Sequence, residues 1–181
     1  MIITRLFFEN DIETTLGSFM SVDNKGCEWL DFNKIIPMPE NLCAWPDSNK
    51  GLGDNYTERL IVHWNEQELW RNKNWGESLY DGSSKYDYHF SANMIPIEVC
   101  AIPFPVISQL ARLINQKIRI TYREEYYGFW GEALFASDGS YKDRMYENRY
   151  SRHGTPKELD DELGISESLN DPSTWHETPE P

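Results

Sequence analysis

The chain has 181 residues with 14% aromatic and 26% charged side chains, a composition that suits one folded domain with a tail, or two small domains, and excludes a wholly disordered protein. No apolar run approaches the ~20 residues a membrane-spanning helix needs, and three widely spaced cysteines (Cys27, Cys43 and Cys100) do not form a disulfide framework. The net charge of −13 opposes contact with nucleic-acid phosphates and anionic membranes and favours a basic partner surface.

That charge is unevenly spread. Eight Asp/Glu and no Lys/Arg fall in residues 158–181, whereas residues 1–157 hold 22 acidic against 17 basic residues. The N-terminus meets Asp11 before a signal-peptide hydrophobic region can form, so a cytoplasmic location is expected.

In chain order, residues 2–8 read as a strand rich in β-branched and aromatic residues. Residues 19–32 are interrupted at Asp23-Asn24-Lys25-Gly26, which predicts a hairpin or a bulged long strand. Ile35 and Ile36 are expected to finish a strand that Pro37 and Pro39 stop, with Met38 folded back on the core and a turn or short helix beginning at Glu40. Asn55 and Glu58 resemble a capping box opening a helix to about Lys73, with Leu60, Ile61 and Trp64 at helical spacing. Tyr86, Tyr88, Phe90 and Ala92 alternate with polar residues and predict a half-buried strand.

A second helix is clearer: Pro105 suits its first turn, and Val106, Ile107, Leu110, Ala111 and Ile114 form one apolar face. The alternation at Ile118, Ile120 and Tyr122, then residues 128–136, predicts an antiparallel hairpin. After Gly139 the pattern stops. Thr155-Pro156-Lys157-Glu158 then reads as a helix start with Thr155 as cap, Leu159 and Leu163 as a weak stripe and Gly164 as terminator. The order of elements favours an α+β fold, one antiparallel sheet with two helices on one face. We expect such a domain over residues 1–140 and an irregular acidic C-terminal extension with one short helix over 141–181.

The segment Phe32-Asn33-Lys34-Ile35-Ile36-Pro37-Met38-Pro39-Glu40-Asn41-Leu42, the step Asn74-Trp75-Gly76, the Phe104-Pro105 helix start and the strand pair ending in Phe129-Trp130-Gly131 carry a resemblance. Together they resemble the YubB ferredoxin-like domain family of uncharacterised plasmid and phage proteins, over roughly residues 1–139. The resemblance implies a ferredoxin-like domain and a mobile-element origin, and it carries over no catalytic residue. This chain departs from the family in starting directly on a strand and in reading Trp75-Gly76-Glu77-Ser78 where the family has Thr-Lys after its Trp-Gly.

Chemistry-bearing motifs are few. His63, His89, His153 and His176 are far apart and no Cys-x-x-Cys occurs, so neither a metal nor a cofactor is expected. Lys50-Gly51-Leu52-Gly53 lacks the Lys-Ser/Thr of a P-loop, and Cys100 is expected to be a small buried residue, not a nucleophile. An enzyme is not expected. Two features suit binding. The first is the acidic C-terminal segment, with Glu158, Asp160, Asp161, Glu162, Glu167 and Asp171 around an apolar anchor, Trp175. It suits a host protein with a basic surface, such as a nucleic-acid-handling or defence protein that a phage or plasmid product would inhibit by nucleic-acid mimicry. The alternative is a nucleic-acid-binding module using Lys117, Arg119 and Arg123, which alternate along a predicted strand and so share a sheet face. Against it, the aromatic of that strand, Tyr122, points the other way, and pairing of these charges with Glu132 is the simpler use of them.

Overall fold

A computed structural model describes residues 1–11, 15–22, 24, 26, 28–44, 56–76, 93–147 and 155–170. The fold is α+β around a five-stranded antiparallel sheet in the order β4-β1-β5-β6-β7, with β1 at Ile2–Phe8, β4 at Met94–Val99, β5 at Ile118–Glu124, β6 at Phe129–Phe135 and β7 at Tyr141–Glu147. A separate hairpin pairs β2 (Met20–Val22) with β3 (Glu28–Leu30), as the break at residues 23–26 predicted. The helices are α1 (Phe32–Ile35), α2 (Glu40–Cys43), α3 (Tyr56–Asn74), α4 (Phe104–Ile114), α5 (Lys157–Leu163) and α6 (Ile165–Asn170).

Strand register separates the sheet into two faces. Ile2, Leu6 and Phe8 of β1 stand opposite Glu124, Ile120 and Ile118 of β5, and Ala133 and Phe135 of β6 continue the same inner face. Helix α4 covers it with Val106, Ile107, Leu110 and Ala111, all fully buried, as its apolar spacing required. Strands β4 and β5 are both antiparallel to β1, which lies between them, so α4 carries the chain across β1.

Tyr122 crosses the inner face under β6 and donates to Asp143 Oδ1 on β7 at 2.6 Å. Gly131 makes this possible, because a Cβ there would meet Tyr122 Oη at 2.4 Å and Arg144 O at 2.5 Å. Burial, reinforced by the hydrogen bond to Asp143, pushes the Tyr122 phenol far above its ordinary range.

The segments around Phe32 and Trp75 form one cluster. Trp75, 1% exposed, donates its indole N–H to Ile36 O at 2.9 Å, and its ring meets Phe32 edge-on at 6.1 Å and Trp70 at 5.4 Å. Met38 is buried in the same core, with its N–H donated to Asn33 Oδ1 at 2.7 Å.

Several expectations are corrected. Phe32–Ile35 is a helical turn and not the end of a strand, because Asp31 caps it by accepting from Asn33 N at 2.9 Å. Helix α3 does not bury Ile61 and Trp64, which are half exposed; it turns His63 and Gln67 inward, where Gln67 donates to Leu42 O. Cys100 is exposed. The pattern expected to stop after Gly139 continues as β7, the last strand of the sheet. The predicted strand at Tyr86, Tyr88, Phe90 and Ala92 and the cap at Asn55 lie outside the described residues.

Candidate functional site on the outer sheet face

The outer face carries the side chains that alternate with the core. Register places Arg5 and Phe7 of β1, Arg119, Thr121 and Arg123 of β5, Trp130, Glu132 and Leu134 of β6, and Lys142, Arg144 and Tyr146 of β7 on it. Here the two features singled out in the sequence meet, because the C-terminal helices α5 and α6 lie on this face.

The attachment has an apolar half and a polar half. Leu159, Leu163 and Ile165 bury against Trp130 and Tyr127, with Tyr146 packed at the side, as a cluster separate from the main core. Trp130 donates its indole N–H to Thr155 Oγ1 at 3.0 Å, and Tyr127 Oη shares a 2.5 Å hydrogen bond with Ser168 Oγ. Thr155 thus serves the sheet and does not cap α5, whose N-cap is Pro156 without a side-chain bond. Gly164 ends α5 in the left-handed conformation with φ at 65°, as expected of a helix terminator.

Glu162 anchors the polar half. One carboxylate oxygen accepts from Arg119 Nη1 at 2.9 Å, the other from Thr121 Oγ1 at 2.8 Å, and its backbone carbonyl accepts from Arg5 Nη1 at 2.5 Å. Arg119 also reaches Glu132 at 3.4 Å, as the cross-strand pairing predicted, and stacks over Phe7 at 5.3 Å. Arg123 lies over the Tyr127 ring at 4.7 Å.

The expected acidic set therefore divides. Glu162 faces the sheet; Asp160 is turned into the fold, accepting from Ser166 N at 2.7 Å and from the Ser166 hydroxyl. Glu158, Asp161 and Glu167 are exposed, Asp161 beside Lys157 of the same helix. Asp171 and Trp175 lie outside the described residues. Of the basic row, Lys117 precedes β5 and pairs with Glu9 at 3.7 Å, while Arg119 and Arg123 are held under or beside the helix pair. Sequence reasoning missed the aromatics Phe7, Trp130 and Tyr146, which share this face but come from three strands.

The face is not wholly covered. Next to Arg119, the residues Glu132, Leu134, Lys142, Asp143 and Arg144 line with it a depression of about 530 Å³. Among the described residues no three His, Cys, Asp or Glu side chains are grouped to hold a metal, and no helix is long and apolar enough to cross a membrane. No family model, no curated protein and no solved structure matches the chain.

Proposed function

We propose that the chain is a non-enzymatic binding protein of a phage or plasmid, built on a ferredoxin-like domain and working in the bacterial cytoplasm. Its partner would be a host protein with a basic surface, of the kind that handles nucleic acid or defends against it, and the acidic exterior would compete with nucleic acid for that surface. The observation that carries the reading is the helix pair α5–α6. It presents Glu158, Asp161 and Glu167 outward while Leu159, Leu163 and Glu162 fix it to the sheet. Carboxylates on a fixed platform lose less freedom on binding than those of a free tail, so more of their attraction is retained. The net charge of −13 adds long-range steering towards a cationic groove. The passage from β4 through α4 to β5 around β1 supports the ferredoxin-like proposal, which requires a further strand on the side of β4 away from β1.

The test is capture from bacterial lysate at about 50 and 200 mM salt, followed by competition of the captured protein with DNA. The reading expects a stoichiometric partner whose capture falls steeply with salt, is displaced by DNA, and weakens when Glu158, Asp161 and Glu167 are changed to their amides. No stoichiometric partner at either salt concentration would overturn it.

A further inference from the structure

The outer face has a composition opposite to that of the whole chain. Arg5, Arg119, Arg123, Lys142 and Arg144 stand on it against Glu98 and Glu132, in a protein of net charge −13. Interleaved with these cations are Phe7 on β1, Trp130 on β6 and Tyr146 on β7, with β5 and its arginines between the first ring and the other two. Cations interleaved with aromatic rings on a sheet face are the elements by which sheet proteins hold single-stranded nucleic acid. A duplex would leave the rings unused, because its bases are already stacked.

We propose that this face binds single-stranded nucleic acid and that α5–α6 holds it shut by occupying the strand's place. The contacts of the helix pair substitute for those of such a ligand. The Glu162 carboxylate takes hydrogen bonds from Arg119 and Thr121, as a phosphate would, and Leu159 and Leu163 cover the Trp130 ring, as a base would. The depression next to Arg119 is the part already open. Lys142 and Arg144 line it with Glu132 and Asp143; Glu132 is engaged by Arg119 and Asp143 by Tyr122, and no ion pair among the described residues holds Lys142 or Arg144. A strand would enter there by its phosphates and extend over Trp130 and Tyr146 as the helices lift. Helices of 7 and 6 residues do not persist without tertiary contacts, so lifting them also melts them. This inference goes beyond the partner-binding reading and is independent of it, since it uses the face the helices cover and not the carboxylates they present.

The test is fluorescence anisotropy of labelled single-stranded DNA and RNA of mixed sequence with the full chain. The variants are Leu159→Ser with Leu163→Ser, which undocks the helices, and the same pair with Lys142→Ala and Arg144→Ala. Hydrogen exchange of residues 94–124 and 155–170 shows that the sheet is intact and the helices released. The undocked variant is expected to bind at least tenfold more tightly than wild type. Removing the two cations should flatten the slope of log K against log salt by about 1.4, the value for two phosphate contacts to a single strand. Binding no tighter than wild type overturns the proposal, and so does equal affinity for polyglutamate, which would mean a surface lacking any base contact. Should the double serine variant fail to fold, Glu162→Gln decides: it removes the charge that Glu162 sets against Arg119, without removing an apolar contact, and should raise affinity roughly two- to fivefold, whereas no rise refutes the proposal. Loss of lysate partner capture alone would bear on the acidic exterior and leave this result unchanged.

Discussion

Replacing Leu163 by Ala tests how the helix pair is held. Leu163 is 5% exposed and belongs to the small cluster with Leu159, Ile165, Trp130 and Tyr127. Truncating a buried Leu removes transfer free energy and leaves a cavity, together about 3 kcal/mol. Here the effect has a ceiling. The cluster is separate from the main core under α4, so once α5–α6 has released, nothing further is lost from the sheet. The global unfolding free energy should therefore fall by no more than the docking free energy, while exchange protection over residues 155–170 collapses. Urea denaturation followed by fluorescence gives the first quantity and native-state hydrogen exchange the second. A drop of ~3 kcal/mol in global stability with residues 155–170 still protected would refute the reasoning, since it would make the helix pair an integral part of the core.

Three further outcomes follow from the same geometry. Gly131→Ala should cost about 3 kcal/mol or more in chemical denaturation, because its methyl meets Tyr122 Oη at 2.4 Å and Arg144 O at 2.5 Å; adding Tyr122→Phe should restore part of the loss, as the carbonyl remains. Trp75→Phe leaves Ile36 O without its 2.9 Å indole donor and opens a void beside Phe32, so a loss of roughly 2–4 kcal/mol is expected in the same assay. Tyr122 gives an alkaline signature. Its folded pKa is raised above the unfolded value of about 10, so its stabilising share is intact below that pH and declines above it, by about 1.4 kcal/mol per pH unit in thermal or urea unfolding. Tyr122→Phe should remove that component of the pH dependence.

The sequence declared those elements whose apolar residues repeat at a clear period. Strands β1, β5 and β6 and helix α4 each bury one face, and their alternation or helical spacing is visible in a single line of text. Strand β7 was invisible for the opposite reason: six of its seven residues are exposed, so an edge strand carried by its backbone pairing shows no alternation. Phe32–Ile35 misled because Ile35-Ile36 followed by Pro37 is β-like, and the stronger signal was Asp31 two residues before Asn33. Helix α3 misled in the same way, as its inward positions include His63 and Gln67 while Ile61 and Trp64 face outward.

The candidate site was legible only in pieces. Glu162 reads in sequence like any carboxylate of an acidic run, because its partner Arg119 is 43 residues away. The rings that complete the cationic row are distributed over β1, β6 and β7, and only the register brings Phe7 beside Arg119 and Trp130 beside Arg123. Thus the acidic segment and the basic strand, rival candidates when read along the chain, are two sides of one contact.

Native-state hydrogen exchange on the unmodified protein tests that contact most directly. If α5–α6 closes the outer face, amides of residues 157–170 will exchange far more slowly than an unfolded chain, and Arg119→Ala, which removes the donor to Glu162, will speed them while leaving β4 and α4 unaffected. Exchange of residues 157–170 at the unfolded rate in the wild-type protein would contradict the account, leaving the basic and aromatic face open and the carboxylates without a platform.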